Sequence, residues 1–347
     1  MAGKIKLLDA TLRDGGQGLE YSFSHGLGRA AFSPQFIQQV IQLQIESNID
    51  IIELGAIWPS GQDKTPFAIY QTLEELSQTL PACPNPCQMY VGLYVDPDTP
   101  LQRIPEWNPF MCEGVRVILR YSELQKSLDF CRALAEKGYK VFVQPMLTMR
   151  YSDAELDQVI QTANEIKVYA LYFVDSFGYM ESTDVQRLFE YYDTRLNGGI
   201  RIGFHAHNNM NQAYALSKFF LETETDRELI IDACATGMGQ GAGNLQTELI
   251  VPYLNQKHGN IYKYDAVLDI CEMLDERFTQ ENPWGYSVTR LLPALHKAAY
   301  KYALLLRENY HFSYREINEI LREMPPAMRH RCTMQNVEQL VEHFKQR

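Results

Sequence analysis

Ile200-Arg201-Ile202-Gly203-Phe204-His205-Ala206-His207 is the stretch that decides the fold. It opens as a short, largely apolar run. On an extended strand residues two apart point to one face, so the imidazoles of His205 and His207 converge at the strand's end. Runs of the same kind occur at 4–9, 50–55, 89–95, 115–120, 140–146, 169–175 and 229–235, which with 200–205 makes eight. Near-continuous apolar strands separated by helical patterns predict a parallel sheet.

The helices between the runs show their starts. Ser33-Pro34 offers an N-cap followed by proline at the first helical position, and Ser122-x-x-Gln125 and Ser152-x-x-Glu155 read as capping boxes after the fourth and fifth runs. Eight strand-helix units ending after a helix over 245–255 predict a closed (β/α)8 TIM barrel of about 250 residues. An open doubly wound sheet is the alternative; it normally has fewer strands and a glycine-rich turn after the first. Beyond residue 260 the pattern is helical, over 264–278, 291–306, 313–322 (opened by Ser313-x-x-Glu316) and 335–344. The expected organisation is an α/β catalytic barrel over 1–260 and a C-terminal helical extension over 261–347.

The 347 residues, 46% hydrophobic, are ample for a large core. A formal charge of −11 disfavours a nucleic acid or an anionic membrane as partner and leaves small molecules. Seven cysteines without a C-x-x-C pair read as reduced thiols. No cationic leader followed by an apolar segment precedes Ile5, and no apolar run approaches the ~20 residues of a membrane span. A cytoplasmic enzyme is expected.

Catalytic groups of such a barrel come from the C-terminal ends of its strands. Asp14 follows the first run in Leu8-Asp9-Ala10-Thr11-Leu12-Arg13-Asp14-Gly15, and His205 and His207 close the seventh. One carboxylate and two imidazoles suggest a divalent metal; the plain alternative is a turn at Asp14-Gly15 with packed histidines. Asn244, in the glycine-rich loop after the eighth run, is the candidate fourth ligand or else the N-cap of the next helix. Arg13 is placed to neutralise an enolate oxygen or hold a carboxylate, or else to bridge the barrel mouth. Glu53, ending the second run, can orient Arg13 or a ligand, relay a proton, or form a structural ion pair. Asp175-Ser176 ends the sixth run, a position from which it can contact substrate.

Leu8–Gly16, His205–Asn211 and Gly237–Glu248 resemble the metal-dependent pyruvate aldolase and acyl-CoA lyase/synthase superfamily, the DRE-TIM metallolyases. Val174-Asp175-Ser176, His205-Ala206-His207-Asn208-Asn209 and Trp284-Gly285-Tyr286 are most similar to its 4-hydroxy-2-oxovalerate aldolase-like branch. The resemblance implies Asp14, His205, His207 and Asn244 as metal ligands and Arg13 as the enolate-stabilising cation. The mixed nitrogen and oxygen donors suit Mn²⁺ or Mg²⁺, with Zn²⁺ or Co²⁺ as alternatives, and the resemblance implies a homo-oligomer. Where the hydroxy-oxoacid aldolases carry an acid/base histidine, this chain has Gln17, which cannot exchange protons near neutral pH and resembles the substrate-contacting glutamine of the lyase and synthase branch. Tyr286, His25, Glu53 or a metal-bound water are then the candidate bases.

The expected reaction is carbon–carbon cleavage of a hydroxy-2-oxo acid through a metal-bound pyruvate-type enolate, or its reverse. The rival on the same site is condensation of an acyl-CoA with a 2-oxo acid. A non-haem iron oxygenase would also use two histidines and a carboxylate, but commonly places the acid close to one histidine in sequence. A catalytically silent binding barrel is the remaining alternative.

Overall fold

The structure, a computed structural model, describes residues 5–82, 84–278 and 284–346. Its strands are β1 (Ile5–Asp9), β2 (Ile51–Ile57), β3 (Ile69–Tyr70), β4 (Met89–Tyr94), β5 (Gly114–Leu119), β6 (Lys140–Pro145), β7 (Ala170–Asp175), β8 (Arg201–Ala206) and β9 (Leu229–Ala233). All eight expected strands are present. The two-residue β3 is an addition, paired only to β2 within the sheet, where the chain turns back over the barrel mouth.

The sheet closes on itself. β1 pairs in parallel with β9 at Ile5↔Leu229 and with β2 at Leu8↔Ile51, so the open-sheet alternative does not hold. Strand alternation then sorts the side chains. Leu8, Ile51, Phe142, Tyr172 and Ile230 pack inside the barrel, while Leu7, Ile52, Phe173, Ile202, Phe204 and Ile231 face the surrounding helices. Above the apolar inner layer the same inward register carries Glu53, Arg116, Asp232 and His205, all buried.

Helix starts follow the sequence in three of four cases. Ser33 accepts from Phe36 N at 3.1 Å, and Ser152 and Ser313 form capping boxes with Glu155 and Glu316. Ser122 does not cap. Tyr121–Glu123 forms a 3₁₀ turn, the helix begins at Leu124, and the Arg120 N–H donates to Ser127 Oγ at 3.2 Å instead.

The helix expected over 291–306 is two, Val288–Leu295 and Lys301–Tyr310. Between them Lys297 adopts φ 54°, and the N–H groups of Lys297 and Ala298 donate to the Ala294 and Pro293 carbonyls. Apolar spacing runs through the break, with Leu292, Ala298, Ala299 and Tyr302 all buried, so periodicity alone does not disclose it. With Ile317, Leu321, Val337 and Val341 these residues form a second apolar core. Among the described residues no helix is long and apolar enough to cross a membrane.

Candidate metal centre

β1 ends at Asp9 and the chain enters the helix Thr11–Ser24 at once, so Asp14 lies in its first turn rather than in a turn at Asp14-Gly15. Backbone N–H groups at a helix start favour a carboxylate. The carboxyl is fully buried, which by itself would raise its pKa. The Arg13 guanidinium, His207, His205 and the Asn244 amide outweigh burial and hold it down to about 2.

His205 and His207 leave β8 on the inward face and meet Asp14 there. One ligand-competent atom from each of the three lies within 4.8 Å of the others, and His205 Nε2 is 3.9 Å from Asp14 Oδ2. The other ring nitrogen of each histidine is occupied. His205 Nδ1 is 2.9 Å from Asp232 Oδ2, and His207 Nδ1 is 3.2 Å from the Gly243 carbonyl. Carboxylate and carbonyl oxygens only accept, so Nδ1 carries a proton in both rings and Nε2 is the nitrogen left to face a cation. Burial pushes His207 down to about 4, which keeps it neutral at pH 7.

Asn244 reaches Asp14 through a strand-like segment inserted between the ends of β8 and β9. Leu245 N donates to Ala206 O and Cys234 N to Leu245 O. Gly243, at φ 83°, lets this segment pass within contact of the Gly237 carbonyl. At Gly239 a Cβ would lie 2.1 Å from the Asn244 amide nitrogen and 2.7 Å from Asp14 Oδ2. Asn244 donates through Nδ2 to Asp14 and to the Met238 carbonyl, while its buried Oδ1 has no hydrogen-bond partner. It is not an N-cap: the next helix starts at Thr247 with Gln246 in the cap position.

Arg13 donates from Nη1 to Asp14 at 2.9 Å and to Gln17 Oε1 at 3.3 Å, and from Nε to Glu53 at 2.8 Å. The same Glu53 oxygen accepts from Arg116 Nη1 at 2.7 Å, and Arg116 Nη2 donates to Asp232. Tyr172 OH also donates to Asp232, at 3.0 Å. A continuous buried chain therefore runs Arg13–Glu53–Arg116–Asp232–His205. Its two guanidiniums stand against the carboxylates of Asp14, Glu53 and Asp232, leaving one net negative charge in the barrel's upper interior. A buried excess of negative charge is costly, and a cation held between His205, His207 and Asp14 would offset it.

A cavity of about 820 Å³ opens above this cluster. Arg13, Asp14, Gln17, His25, His205 and His207 line it; Glu53 and Asn244 are buried and do not. Tyr286 is not brought there either: the chain turns at Gly285, φ 93°, and leaves the Tyr286 ring 54% exposed. Glu281, Asn282 and Pro283 of the same loop lie outside the described residues. The Asp175 carboxylate turns into its own loop, accepting from Tyr179 N and Met180 N, whereas Ser176 lines the cavity.

Sequence reading missed Arg116 and Asp232, although each is a charge at an inward-alternating position of an apolar strand, which is a usable signal. It also missed Tyr300 and Lys301, which the break at Lys297 swings onto the cavity wall.

The HMGL-like family model matches residues 119–276. A 4-hydroxy-2-oxovalerate aldolase of Burkholderia thailandensis is 30% identical over 292 residues, covering 80% of this chain and 77% of that protein. Another from Geobacillus genomosp. 3 is 27% identical over 257 residues, 73% of this chain and 71% of its own length. Among solved structures, the HMG-CoA lyase of Bacillus subtilis superposes with a TM-score of 0.61 at 16% identity, covering 80% of this chain and 94% of that one, a likeness of fold. Eight parallel strands, a metal-competent triad at their C-terminal ends and these relatives converge: the chain belongs to the HMGL-like family, the DRE-TIM metallolyases, alongside the 4-hydroxy-2-oxovalerate aldolases, and is a carbon–carbon lyase.

Proposed function

We propose that the chain carries out reversible aldol cleavage of a hydroxy-2-oxo acid through a pyruvate-type enolate, with a divalent cation seated on Asp14, His205 and His207 and Asn244 as a fourth ligand. One observation carries the reading: three buried donor atoms within 4.8 Å of one another, with both histidines turned to present Nε2. The orphaned Asn244 Oδ1 adds an oxygen donor beside them. A bound divalent ion supplies Lewis acidity to the 2-oxo acid. Mn²⁺ or Mg²⁺ suits this donor set first; the family resemblance implies a homo-oligomer, and the scattered cysteines read as reduced thiols fit a cytoplasmic setting.

Arg13, always cationic and aimed by Glu53, offsets negative charge growing on the enolate oxygen. Gln17, fixed by Arg13, orients substrate without moving a proton. Glu53 is an orienting group rather than a base, because Arg13 and Arg116 share one of its oxygens and it does not line the cavity. Of the candidate bases, His25 is the side chain that reaches the cavity. Its Nδ1 donates to the Tyr21 carbonyl at 2.8 Å, which leaves Nε2 to accept the proton of the substrate hydroxyl.

Gln17 at the cavity wall keeps the acyl-CoA condensing reading as the second. Deuterium exchange at the pyruvate methyl and pyruvate release from 4-hydroxy-2-oxovalerate test the first. Both are expected with Mn²⁺-loaded wild type and at least about a hundredfold slower in Asp14→Asn. Exchange without any aldol cleavage, together with condensation of an acyl-CoA, would favour the second; no exchange at all sinks both.

A further inference from the structure

The cavity is larger than pyruvate and a small aldehyde require, and its outer wall is built by the C-terminal helices. Tyr300, Lys301, His330 and Arg331 line it there, beside Arg120 from the end of β5. In a molecule of net charge −11 this wall is cationic.

Its charges are not used up by the protein. Each cavity carboxylate already has a cation: Asp14 has Arg13, Asp96 has Arg120 at 3.1 Å, and Glu20 has Lys64 at 2.8 Å as well as the Ser24 hydroxyl. Among the described residues, the side chains of Lys301 and Arg331 have no carboxylate partner within salt-bridge distance. The Lys301 ammonium instead sits 3.9 Å over the Tyr21 ring and 5.9 Å from the Tyr300 ring centroid, with Glu20 and the Cys332 thiol as its other neighbours. Burial depresses its pKa, so an incoming anion would relieve the site as well as be held by it. The backbone carrying Arg331 is pinned, its carbonyl accepting from Tyr302 OH at 2.9 Å and from Asn336 Nδ2 at 3.0 Å. Arg150 and Arg331 are the cationic neighbours of His330.

The spacing follows from the helix Thr11–Ser24. Tyr21 is seven residues beyond Asp14, so at 1.5 Å per residue its Cα lies about 10 Å further along the axis. The Lys301 ammonium over that ring therefore stands away from Asp14 along the helix, at about the reach of a short substrate.

We propose that Lys301 and Arg331 form a receptor for a second anionic group, a carboxylate or phosphate on the acceptor half of the substrate. The inference rests on the enolate reading above and names the substrate class it leaves open.

Aldol addition of pyruvate to butanal, succinic semialdehyde and glyceraldehyde 3-phosphate by the Mn²⁺-loaded full chain tests it. At least one anionic aldehyde is expected to exceed butanal in kcat/KM by tenfold or more, and the carboxylated and phosphorylated arms tell which group is taken. That preference should shrink about tenfold in Lys301→Gln and separately in Arg331→Gln, the latter an exposed position where folding is not at stake. A preference near one, or one unchanged in both variants, overturns the proposal. Deuterium exchange into pyruvate by the wild type, run alongside, separates the failures. Exchange without anionic preference removes the receptor alone. Without exchange the enolate reading goes, and the receptor stands only if succinate or inorganic phosphate raises the melting temperature of wild type but not of Lys301→Gln.

Discussion

Asp232 shows how a residue that touches no substrate governs the site. It fixes the tautomer of His205 and is itself held by Arg116 and Tyr172, a carboxylate–histidine pairing of the kind that tunes metal ligands. Asp232→Asn is expected to raise the Mn²⁺ dissociation constant about 10–100-fold in calorimetric titration, with the barrel's far-ultraviolet spectrum retained. His207 also sets a pH dependence. His207 is depressed from 6.5 to about 4 by burial, so the fold favours its neutral form. The associated stability is whole above about pH 6.5 and is lost as pH falls towards 4. Asp14, lowered from 3.8 to about 2, loses its contribution only below that window. Metal-free protein should therefore lose on the order of 2 kcal/mol in urea unfolding between pH 7 and pH 4.5, and His207→Asn should flatten that slope.

At the scale of elements, local signals succeeded where one segment carries its own answer. Ser33, Ser152 and Ser313 cap helices because capping needs only residues within one turn. Ser122 carries the same pattern and fails, since Ser127 takes the Arg120 N–H and a 3₁₀ turn intervenes. Lys297 is the sharper case. A non-glycine residue in the left-handed region costs about 1–2 kcal/mol, and it is tolerated because the surrounding core at Ala298, Ala299 and Tyr302 demands the bend. Lys297→Gly is expected to raise unfolding stability by roughly 0.5–1 kcal/mol in urea titration, with the cavity unchanged; a loss of stability would show that the side chain itself holds the turn.

For the whole molecule, the closed barrel gathers two guanidiniums and three carboxylates into one buried cluster whose net negative charge calls for a cation. Stripping metal with a chelator should lower the melting temperature by several degrees, and Mn²⁺ at a hundredfold its dissociation constant should restore about 2.7 kcal/mol. Indifference to chelator would count against a resident ion. Within this molecule the division is physical. The sequence by itself determined the eight-stranded barrel and the trio Asp14, His205 and His207, because period-two alternation and position at a strand end are local properties of the chain. Tertiary structure alone decided that Arg116 joins Glu53 to Asp232, 116 residues further on, that Tyr286 stays in solvent, and that Lys301 faces the cavity. Those outcomes depend on which charges closure of the barrel brings together and on where packing bends a helix, and no residue's immediate neighbours encode either.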